Sequence, residues 1–218
     1  MRDESVLAAR QYLYRTYQCL LGSEPKGTAF EAFDVELFEE ACAMVGVGVP
    51  KKMVDLYRDA RESATCREAL QSEYVRALVG PGKLPSAPWE SAQLSGDGAL
   101  FSRQTLDVRN AYRVQGFLPQ EYPRVADDHI ALECGFLAEM AARALERQEA
   151  GDEQGGTEAL AASQAFLEEH PLLWVNAFVD GLDEQRYPFY HAVAEALAAF
   201  MAVDSRWLAS EVGEVSSC

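Results

Sequence analysis

Apolar residues along this chain recur at spacings of three and four, and no run alternates with the period of two that a half-buried strand needs. A chain patterned this way can bury its apolar surface only by packing helix stripes against one another. Val6, Leu7, Leu13, Tyr14, Tyr17, Leu20 and Leu21 make the first stripe, and Gly22 stops it, which predicts a helix over residues 4 to 21. Thr28 and Glu31 have capping-box spacing and open a second stripe, Phe30, Phe33, Leu37, Ala41 and Met44, that ends at the glycines Gly46 and Gly48. Pro50 suits a first helical turn. From there the pattern reaches Val79 in two pieces, with Ser63 and Thr65 as caps and Leu70, Tyr74, Ala77 and Leu78 on the second.

Two stretches interrupt the pattern. Residues 80 to 98 hold Gly80, Pro81, Gly82, Pro85, Pro88, Gly96 and Gly98, too many breakers for a regular helix, and predict a long loop. A helix resumes near Phe101 and ends by Gly116, and a second irregular stretch, Phe117 to Ala126, contains Pro119 and Pro123. Asp127 is then predicted to cap a helix with Ile130, Cys134, Leu137, Ala141 and Leu145 on one face. Gly151, Gly155 and Gly156 predict a flexible hinge over 151 to 156, with helix restarting at Thr157. Leu160, Phe166 and Leu167, then Leu173, Trp174 and Phe178, mark two helices meeting at Pro171. Pro188 starts the last helix, striped by Phe189, Val193, Leu197, Phe200, Val203 and Trp207, before a frayed tail over 212 to 218. The expectation is one all-α domain spanning residues 1 to 218, a bundle of roughly eight to ten helices around two long Gly/Pro-rich loops. The hinge leaves both a monomer and a helix-exchanged dimer open.

Charge narrows the function classes. Against 19 Lys and Arg stand 35 Asp and Glu, a formal net charge of -16 that repels phosphate backbones and anionic lipid, so neither nucleic acid nor stable membrane insertion is expected. The longest nearly apolar stretch, Ala192 to Val203, is broken by Glu195 and is too short to cross a bilayer core of about 30 Å. Five cysteines, Cys19, Cys42, Cys66, Cys134 and Cys218, form no C-x-x-C pair, which argues against a disulfide framework or thiolate zinc site and fits a reducing compartment. The first residues, Met1 to Ser5, lack the features of an export signal, and a cytoplasmic location is expected.

Enzyme signatures are absent in the sequence. No Glu-x-x-His pair accompanies His129, His170 or His191, and there is no Gly-x-Ser-x-Gly elbow, His-Glu-x-x-His or paired-cysteine pattern. Val79-Gly80-Pro81-Gly82-Lys83 lacks the spacing of a phosphate loop. No catalytic residue, cofactor or metal is assigned. One polar cluster stands out, Asp127, Asp128, His129 and Glu133, with His129 and Glu133 four apart on one helical face. It reads either as helix capping or, with Asp128, His129 and Glu133, as a metal, small-ligand or acid-base site of a helical enzyme.

The ordered series Glu73-Tyr-Val-Arg-Ala-Leu-Val-Gly-Pro-Gly82, Ala87-Pro88-Trp89-Glu90-Ser91, Thr105-Leu-Asp-Val-Arg109 with Tyr112 and Gly116-Phe117, then Asp128-His129-Ile130 with Glu133 and Phe136-Leu137, resembles the TorD/DmsD/NarJ chaperones. Phe166 to His170 followed by Trp174 looks like that family's later helix pair. The resemblance implies an all-helical, non-catalytic protein that binds the precursor of a molybdopterin oxidoreductase's catalytic subunit, often at its twin-arginine leader, before cofactor insertion and export. It also implies a peptide site that includes Trp89, Glu90, Ser91, Asp128 and His129. A leader offers two guanidinium groups and an apolar stretch, so its receptor needs carboxylates beside apolar wall. Asp127, Asp128, Glu133 and Glu90 are candidates for the charge, and Trp89, Phe136 and Tyr112 for the wall. Ala126-Asp127 stands where the family has a proline before Asp-His, and Ala92-Gln93 replaces a small apolar and aromatic pair, which leaves the subfamily open.

Overall fold

The first helix, Glu4–Gly22 (α1), starts where the Asp3 side chain accepts from the Ser5 amide. In this computed structural model, which describes residues 3–95, 102–119 and 125–215, α1 is followed by Gly27–Glu31 (α2), Val35–Val45 (α3), Lys51–Glu62 (α4) and Ala64–Tyr74 (α5). A π-helical turn, Val75–Val79, extends α5. Then come Glu90–Leu94 (α6), Arg103–Val114 (α7), Ile130–Glu149 (α8), Glu153–Glu169 (α9), Pro171–Gly181 (α10) and Pro188–Val215 (α11). The protein is all-α, and one isolated β-bridge is the extended pairing among the described residues.

Several boundaries differ from the sequence expectation, each for a local reason. The single helix expected from Thr28 to Met44 is two, because Asp34 accepts from the Leu37 amide and starts α3 afresh. The new register buries Val35, Phe38, Ala41 and Cys42, leaving Leu37 and Met44 exposed. The capping box read at Thr28 rests on a side chain outside the described ones. The loop expected over 80 to 98 contains the one-turn helix α6. The 151–156 hinge reduces to a turn: Gly151 takes a left-handed conformation (φ 74°), Asp152 accepts from the Gly155 amide, and Gly155 and Gly156 lie inside α9. Leu173 is exposed on α10, which buries Trp174, Val175 and Phe178 instead. Helix α11 continues past Val212 to Val215. The helix start near Phe101, Gly96, Gly98, Pro123 and the last three residues lie outside the described residues.

Helix α8 is the central strut, buried along most of its length. Its packing on α1 is close because both helices present glycine: a Cβ at Gly22 would sit 2.9 Å from the Ala131 Cβ, and one at Gly135 would sit 2.8 Å from the Gln18 Nε2. A buried ionic knot ties α1 to α9 and α11. Arg10 donates to Asp204 and to Ser163 Oγ (3.1 Å), and Tyr14 donates to Asp204 at 2.7 Å. Such a pair adds little over an apolar substitute but costs about 3–5 kcal/mol when one partner is removed, so it enforces which helices meet. Glu73 on α5 is likewise buried, accepting from the amides of Phe189 and Tyr190 at the start of α11.

Candidate functional site

The two Gly/Pro-rich stretches meet at a short antiparallel pairing centred on Trp89 and His129. The Glu90 amide donates to the Asp128 carbonyl (3.0 Å) and the Ile130 amide donates to the Pro88 carbonyl (2.9 Å). This pairing puts the two rings edge to face, 5.2 Å between centroids. Both side chains are half-buried and line one groove.

Two of the polar residues around this pairing serve helix starts. His129, not Asp127, caps α8: its Nδ1 accepts from the Ala131 amide at 3.1 Å. Asp128 caps the neighbouring helix, its Oδ2 accepting from the Ser91 amide at the start of α6 (2.8 Å). Asp127 is displaced from the capping role because its carboxylate takes the Arg109 guanidinium (2.6 Å) while its carbonyl accepts from Tyr112 (3.0 Å). Glu90 meets His170 Nδ1 at 3.1 Å, at the junction of α9 and α10.

Glu133 is fully buried and neither carboxyl oxygen has a hydrogen bond of good geometry, although Glu90, Asp128 and the Trp174 indole stand close enough to influence it. Burial first, then the negative charge of Glu90 and Asp128, holds its carboxyl well above the usual carboxylate range and so favours the neutral form. Burial also pushes the His129 imidazole down to about 4 against the pull of Asp128, leaving it neutral and able to accept its capping hydrogen bond. Tyr112 and Phe136 pack with Phe166 in an aromatic cluster, Phe136 and Phe166 at 4.4 Å.

Of the residues singled out in the sequence, Trp89 and His129 therefore reach the groove. Glu90, Ser91, Tyr112, Asp127, Asp128, Glu133 and Phe136 are buried behind it. Of the carboxylates expected to face a cationic ligand, Asp127, Asp128 and Glu90 are instead engaged with Arg109, the Ser91 amide and His170. Of the residues in the alternative acid-base or metal reading, Asp128, His129 and Glu133, the first two have Oδ2 and Nδ1 engaged at two different helix starts. Among the described residues no group of three or more His, Cys, Asp and Glu is placed to hold a metal ion.

The groove has a volume of about 920 Å³ and runs between the end of α1, the π-helical turn, the loop after α7 and the start of α8. Its apolar wall includes Leu78, Val79, Phe117 and Leu118, with Val79 and Leu118 exposed, and its charged rim is Arg15, Glu139 and Arg143. Arg143 pairs with Glu139 (3.1 Å) and donates to the Gln115 carbonyl (2.5 Å), which pins the rim to the end of α7. Leu78, Val79 and Phe117 fall within the ordered motif series, but the sequence reading named none of the wall residues as part of a site. The available signal was Phe117-Leu118, two large apolar residues in a loop with no helical stripe to join.

Residues 43–180 match the family model described as nitrate reductase delta subunit, which is more than half of the chain. The chain belongs to this family, the TorD/DmsD/NarJ chaperones. A TorD chaperone protein from Vibrio atlanticus is 26% identical over 166 residues, covering 74% of this chain and 76% of that protein. The Tat proofreading chaperone DmsD of Salmonella typhimurium is 30% identical over 129 residues, 59% of this chain and 56% of DmsD. The crystal structure of a protein from Archaeoglobus fulgidus described as a redox enzyme maturation protein shares the fold. Its TM-score is 0.52 at 17% identity, over 86% of this chain and 93% of that one. The TorD and DmsD relatives are named as chaperones, not enzymes, and this chain is a maturation chaperone. No helix among its described residues is long and apolar enough to cross a membrane.

Proposed function

We propose that this chaperone acts in the cytoplasm on the precursor of a molybdopterin oxidoreductase of the DMSO reductase type. On this reading it holds an apolar segment of the client, in its twin-arginine leader or its catalytic subunit, in the groove beside Trp89 and His129. Client binding assists cofactor insertion and delays export. The observation that carries this reading is the groove itself: exposed Val79 and Leu118 beside a Trp-His pair that two loops hold rigidly by main-chain pairing and helix caps. Pre-formed walls of this kind spare a receptor the ordering cost that a flexible loop would meet on binding.

The rim charges are one Glu between two Arg, so the groove itself suits the apolar stretch of a leader. The leader's arginines would lie outside it, drawn by a surface that carries most of a net charge of -16. Burying about five apolar side chains contributes roughly 1.5 to 3 kcal/mol each in gross terms. Ordering the segment costs about 2 to 5 kcal/mol, and lost translational and rotational freedom several more. Micromolar affinity, roughly -8 kcal/mol, follows, and suits a protein that must release its client.

The experiment is calorimetric titration of the chaperone with synthetic twin-arginine leaders from molybdopterin oxidoreductases of the same organism, beside pull-down of the mature catalytic subunit. Val79→Glu and Leu118→Glu change exposed positions that the fold does not need, and each is expected to weaken binding by about tenfold or more. Trp89→Ala should do the same with little loss of helicity. Failure of the wild type to bind either a leader or a mature subunit would overturn the proposal.

A further inference from the structure

We infer that a second, smaller pocket across the ridge of α1 is the seat of an apolar side chain from the same client segment, so that the chaperone reads two apolar anchors rather than one. This rests on the groove being the client site. The pocket has a volume of about 170 Å³ and a mainly apolar lining that includes Leu20, Phe30, Phe33, Phe189 and Tyr190, with Arg15 and Glu24 as its charged members. An apolar space of roughly 150 Å³ accommodates a guest about the size of benzene. The space therefore fits one leucine, methionine or phenylalanine side chain.

Its position supplies the link to the client. Arg15, Cys19 and Ser23 line both the pocket and the groove. Spaced by four, they form one ridge of α1 with the groove on one flank and the pocket on the other. The ridge is low, since two of its three residues are small. Behind it the cavities stay in register, because Tyr74 of the groove and Tyr190 of the pocket are in contact, their ring centroids 5.7 Å apart. The charges at the mouth are already matched: Arg15 faces Glu139 at 3.6 Å and Glu24 holds Lys26 at 2.6 Å. Nothing there calls for an ionic partner. A helix is about 10 Å across, a distance that three to four residues of extended chain span. The client segment accordingly carries two large apolar residues three or four positions apart, one against Trp89 and one in the pocket.

Cys19 on the ridge is a built-in reporter. It is exposed, as is Cys66, while Cys42 and Cys134 are buried. In a Cys66→Ser, Cys218→Ser chain, alkylation of Cys19 by a maleimide is followed with and without a saturating twin-arginine leader peptide. Leader affinity is measured for Cys19→Trp, which raises the ridge and closes the pocket mouth, for Cys19→Ser as control, and for leaders with each large apolar residue changed to Ala. Expected are alkylation slowed about tenfold or more by the leader, affinity lost about tenfold in Cys19→Trp and kept in Cys19→Ser, and two sensitive leader positions three or four apart. A leader that binds, is weakened by Leu118→Glu, and yet leaves Cys19 reactivity and Cys19→Trp affinity unchanged overturns the second pocket while the groove stands. A leader that does not bind at all overturns both.

Discussion

His129 does two jobs with one neutral ring: it stands beside Trp89 in the groove and its Nδ1 caps α8. Its folded pKa is pushed down to about 4, whereas an unfolded histidine takes up a proton near 6.5. Between those values the unfolded chain binds more protons, so this contribution to stability is complete above about 6.5 and is lost as the pH falls toward 4. The half-exposed ring is softened by water, and we expect a loss of about 1–2 kcal/mol, read as urea midpoints at pH 7, 5.5 and 4.5. His129→Asn keeps an acceptor at the cap and should lose this acid-side decline. Glu133 has the opposite sign. Its folded pKa is raised by burial and by Glu90 and Asp128, so stability is fullest at or below about pH 4.5 and declines as the pH rises through the raised value. Glu133→Gln removes the buried ionisable group, and its thermal midpoint should exceed that of the wild type at pH 8 while matching it near pH 5. Equal destabilisation at both values would show that the carboxyl is needed charged.

Among the elements, α6 is the least self-sufficient. Five residues are too few for a helix to persist alone, and its N-terminus depends on the Asp128 side chain from the other loop. Asp128→Ala should cost about 2–3 kcal/mol, from the lost cap and an orphaned Ser91 amide, and should speed hydrogen exchange at Ser91. Asp128→Asn keeps an oxygen acceptor and should cost less. If the two variants were equal, capping would not be the role of this residue. This dependence explains why the loop over 80 to 98 reads as irregular: nothing within those residues caps α6. The Ser63 cap of α5, by contrast, was readable because its acceptor and its target amide, Cys66, lie three apart.

On the scale of the whole molecule, the -16 charge is a property of the surface field and not of the groove, whose rim is Arg15, Glu139 and Arg143. Long-range attraction of a leader's arginines is therefore screened by salt, while the apolar contacts are not. Leader affinity should fall about three- to tenfold between 50 and 500 mM NaCl, chiefly through slower association. An affinity independent of salt would remove the net charge from the account of recognition.

The all-α architecture, the positions of most helices and the family could be read from the sequence, because stripe spacing, breakers and an ordered motif series are local properties of the chain. What the tertiary structure decided was direction. Sequence placed Asp127, Asp128, Glu133 and Glu90 beside Trp89 and His129 but could not say which side of the pairing each would face. All four turned inward: Asp127 toward Arg109, Asp128 toward the Ser91 amide of α6 and Glu90 toward His170, while Glu133 is buried without a good hydrogen bond. The reason is physical: two loops meeting in the interior bring unsatisfied amides and a guanidinium with them, and buried polar groups must find partners before any are left for a ligand. The groove, the pocket beyond the α1 ridge and the Arg10–Asp204 knot all join residues far apart in the chain. Their existence depends on how the helices pack, which no local spacing encodes.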